Sequence, residues 1–165
     1  MHRLSEHLQE LDRQVEALER EIQVWHRQND TSRTLAKIPG IGPITASALT
    51  ASIGDAKHFD NGRQLAAWLG LVPKQHSSGG KPRLLGISKR GDAYLRTLLI
   101  HGARAVVRVA ERQTETDTWL KRLLGRRNKN VAAVALANKN ARIVWALLAH
   151  GRDYRPDYAT APTVA

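Results

Sequence analysis

From Leu4 onward, large apolar residues recur at Leu4, Leu8, Leu11, Val15, Leu18, Ile22 and Trp25. The steps alternate between four and three, the spacing of the a/d seam of a left-handed coiled coil, so residues 1–30 are predicted to form one long helix with an apolar stripe. Its remaining positions set Glu6, Glu10, Asp12, Glu16, Glu19 and Glu21 against Arg3, Arg13, Arg20 and Arg27. The stripe demands an apolar partner without saying whose. Pairing with a second copy into a homo-oligomer is the favoured reading, and folding back onto the chain's own domain is the alternative.

The heptads stop at the polar cluster Gln28-Asn29-Asp30-Thr31-Ser32, which suits a helix break and a new cap. Beyond it, periodicity and breakers predict helices at about 31–37, 43–53, 60–70, 89–112, 114–125 and 130–149. An irregular loop is expected from Val72 to Ser88, with room for a short hairpin but no run of alternating strand residues. The fold class is therefore all-α, with a coiled-coil helix at 1–30, a helical domain at 31–150 and a disordered tail at 151–165, rich in Pro, Ala and Thr. No internal repeat is visible.

Charge changes the picture. The 165 residues carry a formal net charge of +11, which favours a polyanionic partner, nucleic acid first and an anionic membrane surface second. No stretch approaches the roughly 20 uninterrupted apolar residues that span a bilayer, and the first residues lack the apolar core of a signal peptide. The expectation is a cytoplasmic protein with no membrane partner. Cysteine is absent, which removes disulfides, thiolate zinc sites and cysteine nucleophiles.

Two segments carry candidate chemistry. In Leu35 to Ala46 a helix end leads into the turn Pro39-Gly40-Ile41-Gly42, and Pro43 opens a second helix where proline costs nothing. This resembles a helix-hairpin-helix motif. Gly40, Ile41 and Gly42 would then bring backbone amides and a helix dipole to a DNA phosphate, positioning DNA without reading its sequence. A plain hairpin packed in the core is the competing reading, and Ile38, Ile41 and Ile44 are core residues on either. In the second segment, Val72 to Gly91, Lys74, Lys81, Arg83, Lys89 and Arg90 are expected to surround Ser77 and Ser78 with the positive charge a phosphodiester site requires. A flexible surface turn with nonspecific electrostatics fits that composition equally well.

Arg96, Arg104, Arg108 and Arg112 lie along the next helix, and no acidic residue falls between Trp119 and Gly151. Such one-signed runs fit phosphate tracking. Asp55, Asp60, Asp92 and Asp117 are scattered, so a two-metal site from this chain alone is not expected, and the histidines show no paired ligand spacing. His76, beside the serines, is the only one placed for catalysis. Tyr94 reads as a core residue.

The succession IPGIGPITASAL (38–49), GDAKHF (54–59), QLAAWLGLVP (64–73), SSGGK (77–81) and GISKRGDAYLRTLLIHGA (86–103) resembles the C-terminal domain of insertion-sequence one-ten family transposases, related to the Piv DNA invertases. The likeness covers about residues 33–112. It implies DNA transposition through a serine nucleophile, which falls on Ser78 with Ser77 as the fallback, a guide RNA, and a RuvC-like domain whose four carboxylates hold Mg2+. Nothing in this sequence resembles that domain. The expectation is a fragment, a truncated element or a separately expressed protein that holds no cofactor itself, binds DNA at the bacterial nucleoid and is inactive until a RuvC-like partner is supplied. The alternative is a noncatalytic helix-hairpin-helix DNA-binding protein or a transposase-derived regulator.

Overall fold

Side-chain caps start most of the helices. Asn29 Oδ1 accepts from the Ser32 amide at 2.8 Å, closing α1 (His2–Gln28) and opening α2 (Asp30–Leu35). Gly42 and Pro43 open α3 (Pro43–Ile53), and Asn61 caps α4 (Gly62–Trp68) after a 3-10 turn at Ala56–His58. The antiparallel pair β1 (Pro73–Ser78) and β2 (Lys81–Ile87) follows. Asp92 then accepts from the Leu95 amide at 2.8 Å at the head of α5 (Ala93–Arg112). Thr118 caps α6 (Trp119–Leu124), and Asn128 caps α7 (Lys129–His150). This computed structural model describes residues 2–78, 81–112 and 118–156, with the side chains of residues 2, 76–78 and 81–84 outside that description.

The core forms around α7. Ala132, Ala133, Ala137 and Ala141 are buried there with Leu136, Val144 and Leu147, and such small side chains let neighbouring backbones come close. At Gly62 of α4, an added Cβ would stand 3.0 Å from the Arg142 Cα and carbonyl oxygen. Against α7 lies α5, whose buried stripe Leu95, Leu99, Ala103 and Val107 repeats every fourth residue. Leu35, Ile38, Leu49, Leu65, Leu69 and Leu71 complete the interior. By length and composition α7 would suffice to cross a bilayer, but here it is the helix around which the others pack.

The structure is mostly helical, as the pattern predicts, and the 72–88 segment takes up the hairpin for which it had room, its strands joined by backbone pairing. It departs from the pattern in three places. The helix predicted from 89 starts at Ala93, because Lys89 (φ 56°) and Gly91 (φ 117°) are left-handed and a Cβ at Gly91 would overlap the Trp68 carbonyl oxygen. The helix predicted at 60–70 is shorter, and Trp68 tilts against Phe59 at 5.6 Å between centroids, at the rim of the core. Of the tail predicted to be disordered, Gly151 to Pro156 lies on the domain: Gly151 (φ 59°) closes α7, the Arg152 amide donates to the Leu147 carbonyl, and Asp153 pairs with Lys37 at 2.7 Å. Residues 157–165 lie outside the described residues, as do 113–117.

The C-terminal end of α1 packs on α2 and α3. Ahead of it, Leu4, Leu8, Leu11, Val15 and Leu18 are 43–76% exposed, so most of the apolar seam has no cover among the described residues.

Candidate nucleic-acid interface

The glycine turn is held from three sides. Within it, the Ile38 amide donates to Leu35 and the Ile41 amide to Ile38, each at 3.0 Å. Gly40 (φ 89°) faces α5, where an added Cβ would stand 2.9 Å from the Gly102 carbonyl oxygen and 3.1 Å from Val106 Cγ2. A Cβ at Gly102 would in turn overlap the Gly40 oxygen, so glycine is required on both backbones. From α7, Asn140 Nδ2 donates to the Pro39 carbonyl at 2.9 Å, and this amide side chain is 3% exposed.

Ile41 is also buried. Of the three residues expected to face DNA, the turn therefore directs Gly40 and Ile41 to the core side and leaves Gly42 open, with nothing within 4 Å of where its Cβ would be. Beyond Gly42, the Ala46 amide closes the first helical bond of α3, and the helix itself offers no acceptor to the amides of Ile44 and Thr45. The open side of the turn thus presents donors and the positive end of a helix dipole.

The hairpin is fastened at its root. The Ser88 amide donates to the Val72 carbonyl at 2.8 Å and the Lys89 amide to the Gly70 carbonyl at 3.0 Å. Asn138 Nδ2, again from α7, donates to the Leu71 carbonyl at 3.0 Å. Arg96, expected on a basic face, sends its Nη1 to the carbonyls of Leu69 (3.1 Å) and Asp92 (3.4 Å). Its guanidinium ties the head of α5 to the chain just before Gly70, through the carbonyl of the buried Leu69.

Register pairs Ser78 with Lys81, Ser77 with Pro82 and His76 with Arg83. Both serines therefore belong to the end of the hairpin away from the domain, although the side chains of His76, Ser77, Ser78, Lys81 and Arg83 lie outside the described residues. Lys74, Lys89 and Arg90 are exposed but stand at the root. Five strand steps of about 3.3 Å put that root roughly 16 Å from Ser78. The five cations therefore do not ring the serines; Lys81 and Arg83 share their end of the hairpin.

Arg104, Arg108 and Arg112 are exposed at intervals of four along α5, on one face. Tyr94 is not a core residue: it is 61% exposed and lines a groove of about 440 Å³ with Ile22 and Trp25 of α1 and Ile44 and Ala48 of α3. At that junction the His26 ring Nδ1 lies 2.7 Å from the buried Ser32 hydroxyl. Among the described residues no group of three or more His, Asp or Glu side chains could hold a metal ion. The bracing residues Asn138 and Asn140 escaped sequence reasoning. Their one signal is a pair of amides two residues apart in the middle of a helix rich in Ala, Val and Leu.

A family model described as "Transposase IS116/IS110/IS902 family" matches residues 32–118, just over half of the chain and the stretch carrying both turn and hairpin. The chain is 58% identical over 157 residues to a probable family 20 transposase of Pseudomonas aeruginosa, covering 94% of this chain and 46% of that protein. It is 50% identical over 145 residues to the transposase for insertion sequence element IS1111A of Coxiella burnetii, covering 87% and 40%. Similarity extends to the pilin gene-inverting protein of Moraxella bovis, 30% identical over 154 residues, covering 91% and 46%. The chain spans less than half the length of these relatives.

Proposed function

The chain belongs to the IS116/IS110/IS902 transposase family, and from that premise we propose that it binds DNA and supplies the serine-bearing half of a composite strand-transfer site. The observation that carries the reading is coincidence in sequence: the family match spans both the glycine turn, with its open amides, and the hairpin whose far end holds Ser77 and Ser78. The turn, acting as a helix-hairpin-helix, and the arginine face of α5 would hold phosphates. Lys81 and Arg83 would place positive charge near the scissile one.

In the proposed chemistry the Ser78 hydroxyl attacks phosphorus. An Oγ–P bond forms, the P–O bond to the adjoining sugar breaks, and the serine proton leaves with that sugar oxygen as a hydroxyl. Carboxylates able to hold Mg2+ would belong to a RuvC-like domain, since the described residues of this chain offer no set that fits one. A guide RNA belongs to the same reading and rests on the family resemblance alone. Association through α1 into a homo-oligomer is a further part of it, supported by the uncovered seam.

The test supplies the chain with a RuvC-like partner domain and DNA, then looks for a covalent protein–DNA adduct. Ser78→Ala should abolish the adduct and leave DNA binding within about twofold, because a hydroxyl adds little to a contact made mainly by charge. An adduct lost in Ser77→Ala instead would move the role by one residue. One that persists in the double variant would refute the serine role and favour the noncatalytic DNA-binding reading.

A further inference from the structure

A second site stands at the other end of α7. There Ile143, Ala146 and Leu147 form the floor of a cavity of about 730 Å³, closed on one side by the segment Arg152 to Pro156. That volume lies in the range of pockets that take small organic groups. Lys139, Arg152 and Arg155 line its edge with His150. The one acidic side chain in the lining, Asp153, is held by Lys37 at 2.7 Å. That hydrogen bond and charge keep its proton affinity below the ordinary value, so its negative charge is already matched. Lys139 also lies 4.8 Å from the centroid of the Trp119 ring, which is 37% exposed, and Tyr154 lines the cavity on the opposite segment. Apolar floor, aromatic neighbours and cationic edge thus meet in one place.

We propose that this cavity binds unpaired nucleotides, their bases against the Ile143–Leu147 floor and their phosphates on Lys139, Arg152 and Arg155. Charge complementarity selects an anion, and the apolar floor selects one that also carries a flat, weakly hydrated group. A duplex keeps its bases stacked inside and offers a pocket only phosphates, whereas a single strand can turn a base onto an apolar or aromatic surface. The inference rests on the family reading only in taking nucleic acid as the partner. The cavity lining runs from Lys139 onward, outside the stretch the family model matches, and includes none of the turn or hairpin.

The experiment uses the whole chain and three fluorescent probes of equal length: oligodeoxythymidine, oligouridine and a mixed-sequence duplex. Arg152→Ala with Arg155→Ala should weaken binding of at least one single strand about tenfold and leave the duplex within about twofold. The slope of log affinity against log salt for that strand should fall by about 1.4, from roughly 0.7 per cation removed. Arg152→Lys with Arg155→Lys, which keeps the charge, should restore most of the affinity. Loss in the deoxy arm alone identifies a displaced DNA strand, loss in the uridine arm alone identifies an RNA, and loss in both identifies unpaired strands generally. Equal losses on strand and duplex, no loss on either strand, or displacement of the strand by polyglutamate at the same charge concentration would overturn the proposal. A wild-type chain that binds single strands but no duplex would count against the proposed duplex interface and leave this site standing.

Discussion

The two longest described helices, α1 with 27 residues and α7 with 22, use apolar residues in opposite ways. In α1 they are large and gathered mainly on one stripe, which stays mostly uncovered among the described residues. In α7 they are mainly small and lie on most sides, and the other helices close in on them. A stripe of leucines on a charged helix records a partner still to be met, whereas a field of alanines records neighbours already at backbone distance. The difference extends to polar groups. Charged side chains on α1 face water and pair with one another, as Arg20 does with Glu16 at 3.3 Å, while Asn138 and Asn140 of α7 spend their amides on the carbonyls of two loops.

Breaking the α1 half of this contrast should have the largest effect. Leu8→Asp with Val15→Asp should raise the dissociation constant of the proposed homo-oligomer roughly a hundredfold or more, since each carboxylate would be buried there without a partner. The domain's melting transition should stay nearly unchanged because neither residue touches it. Sedimentation velocity decides this. A wild-type chain that is monomeric at tens of micromolar, on the order of ordinary coiled-coil affinities, would show that the seam serves some other partner.

On the α7 side, Asn140→Ala should cost about 0.5–1.5 kcal/mol in urea unfolding, the net loss of its hydrogen bond to the Pro39 carbonyl. It should also weaken duplex binding if the turn is the interface, by loosening Gly42 from its fixed place. Full stability in that variant would show that the turn is held by the Gly40–Gly102 contact alone.

The smallest effect concerns the segment after α7. Asp153 is exposed and its carboxyl is held below the ordinary value of 3.8, first by the Lys37 hydrogen bond and then by its charge. A lowered folded-state value contributes stability above the unfolded one and loses it as pH falls through the folded one. Amide signals of Arg152 to Tyr154 should therefore shift with a midpoint below pH 3.8, and Lys37→Ala should move that midpoint and its onset upward. An onset unchanged by Lys37→Ala would break the assignment.

Much of the architecture was legible because it rests on local chemistry. Seven apolar residues at alternating steps defined α1, Asn29 ended it, and Gly42-Pro43 opened α3 at the position observed. The mostly helical class and the family followed from patterns spread along the chain. Tertiary structure decided what those residues face. Gly40 is glycine because Gly102, 62 residues later, brings a second backbone against it, and no local pattern encodes that approach. Arg96 looked like a phosphate contact because charge is visible in sequence, while the Leu69 carbonyl it braces is not. Tyr94 sat among apolar neighbours yet lies on the outer side of α5, since one residue along a helix turns a side chain by about 100°. The hairpin was legible only as room for one, because strand pairing is a relation between two segments, and neither Pro73–Ser78 nor Lys81–Ile87 carries the alternation that would announce it alone. Periodicity and capping are properties of a segment and can be read from it; burial and close approach are properties of pairs, and those the packed fold alone decided.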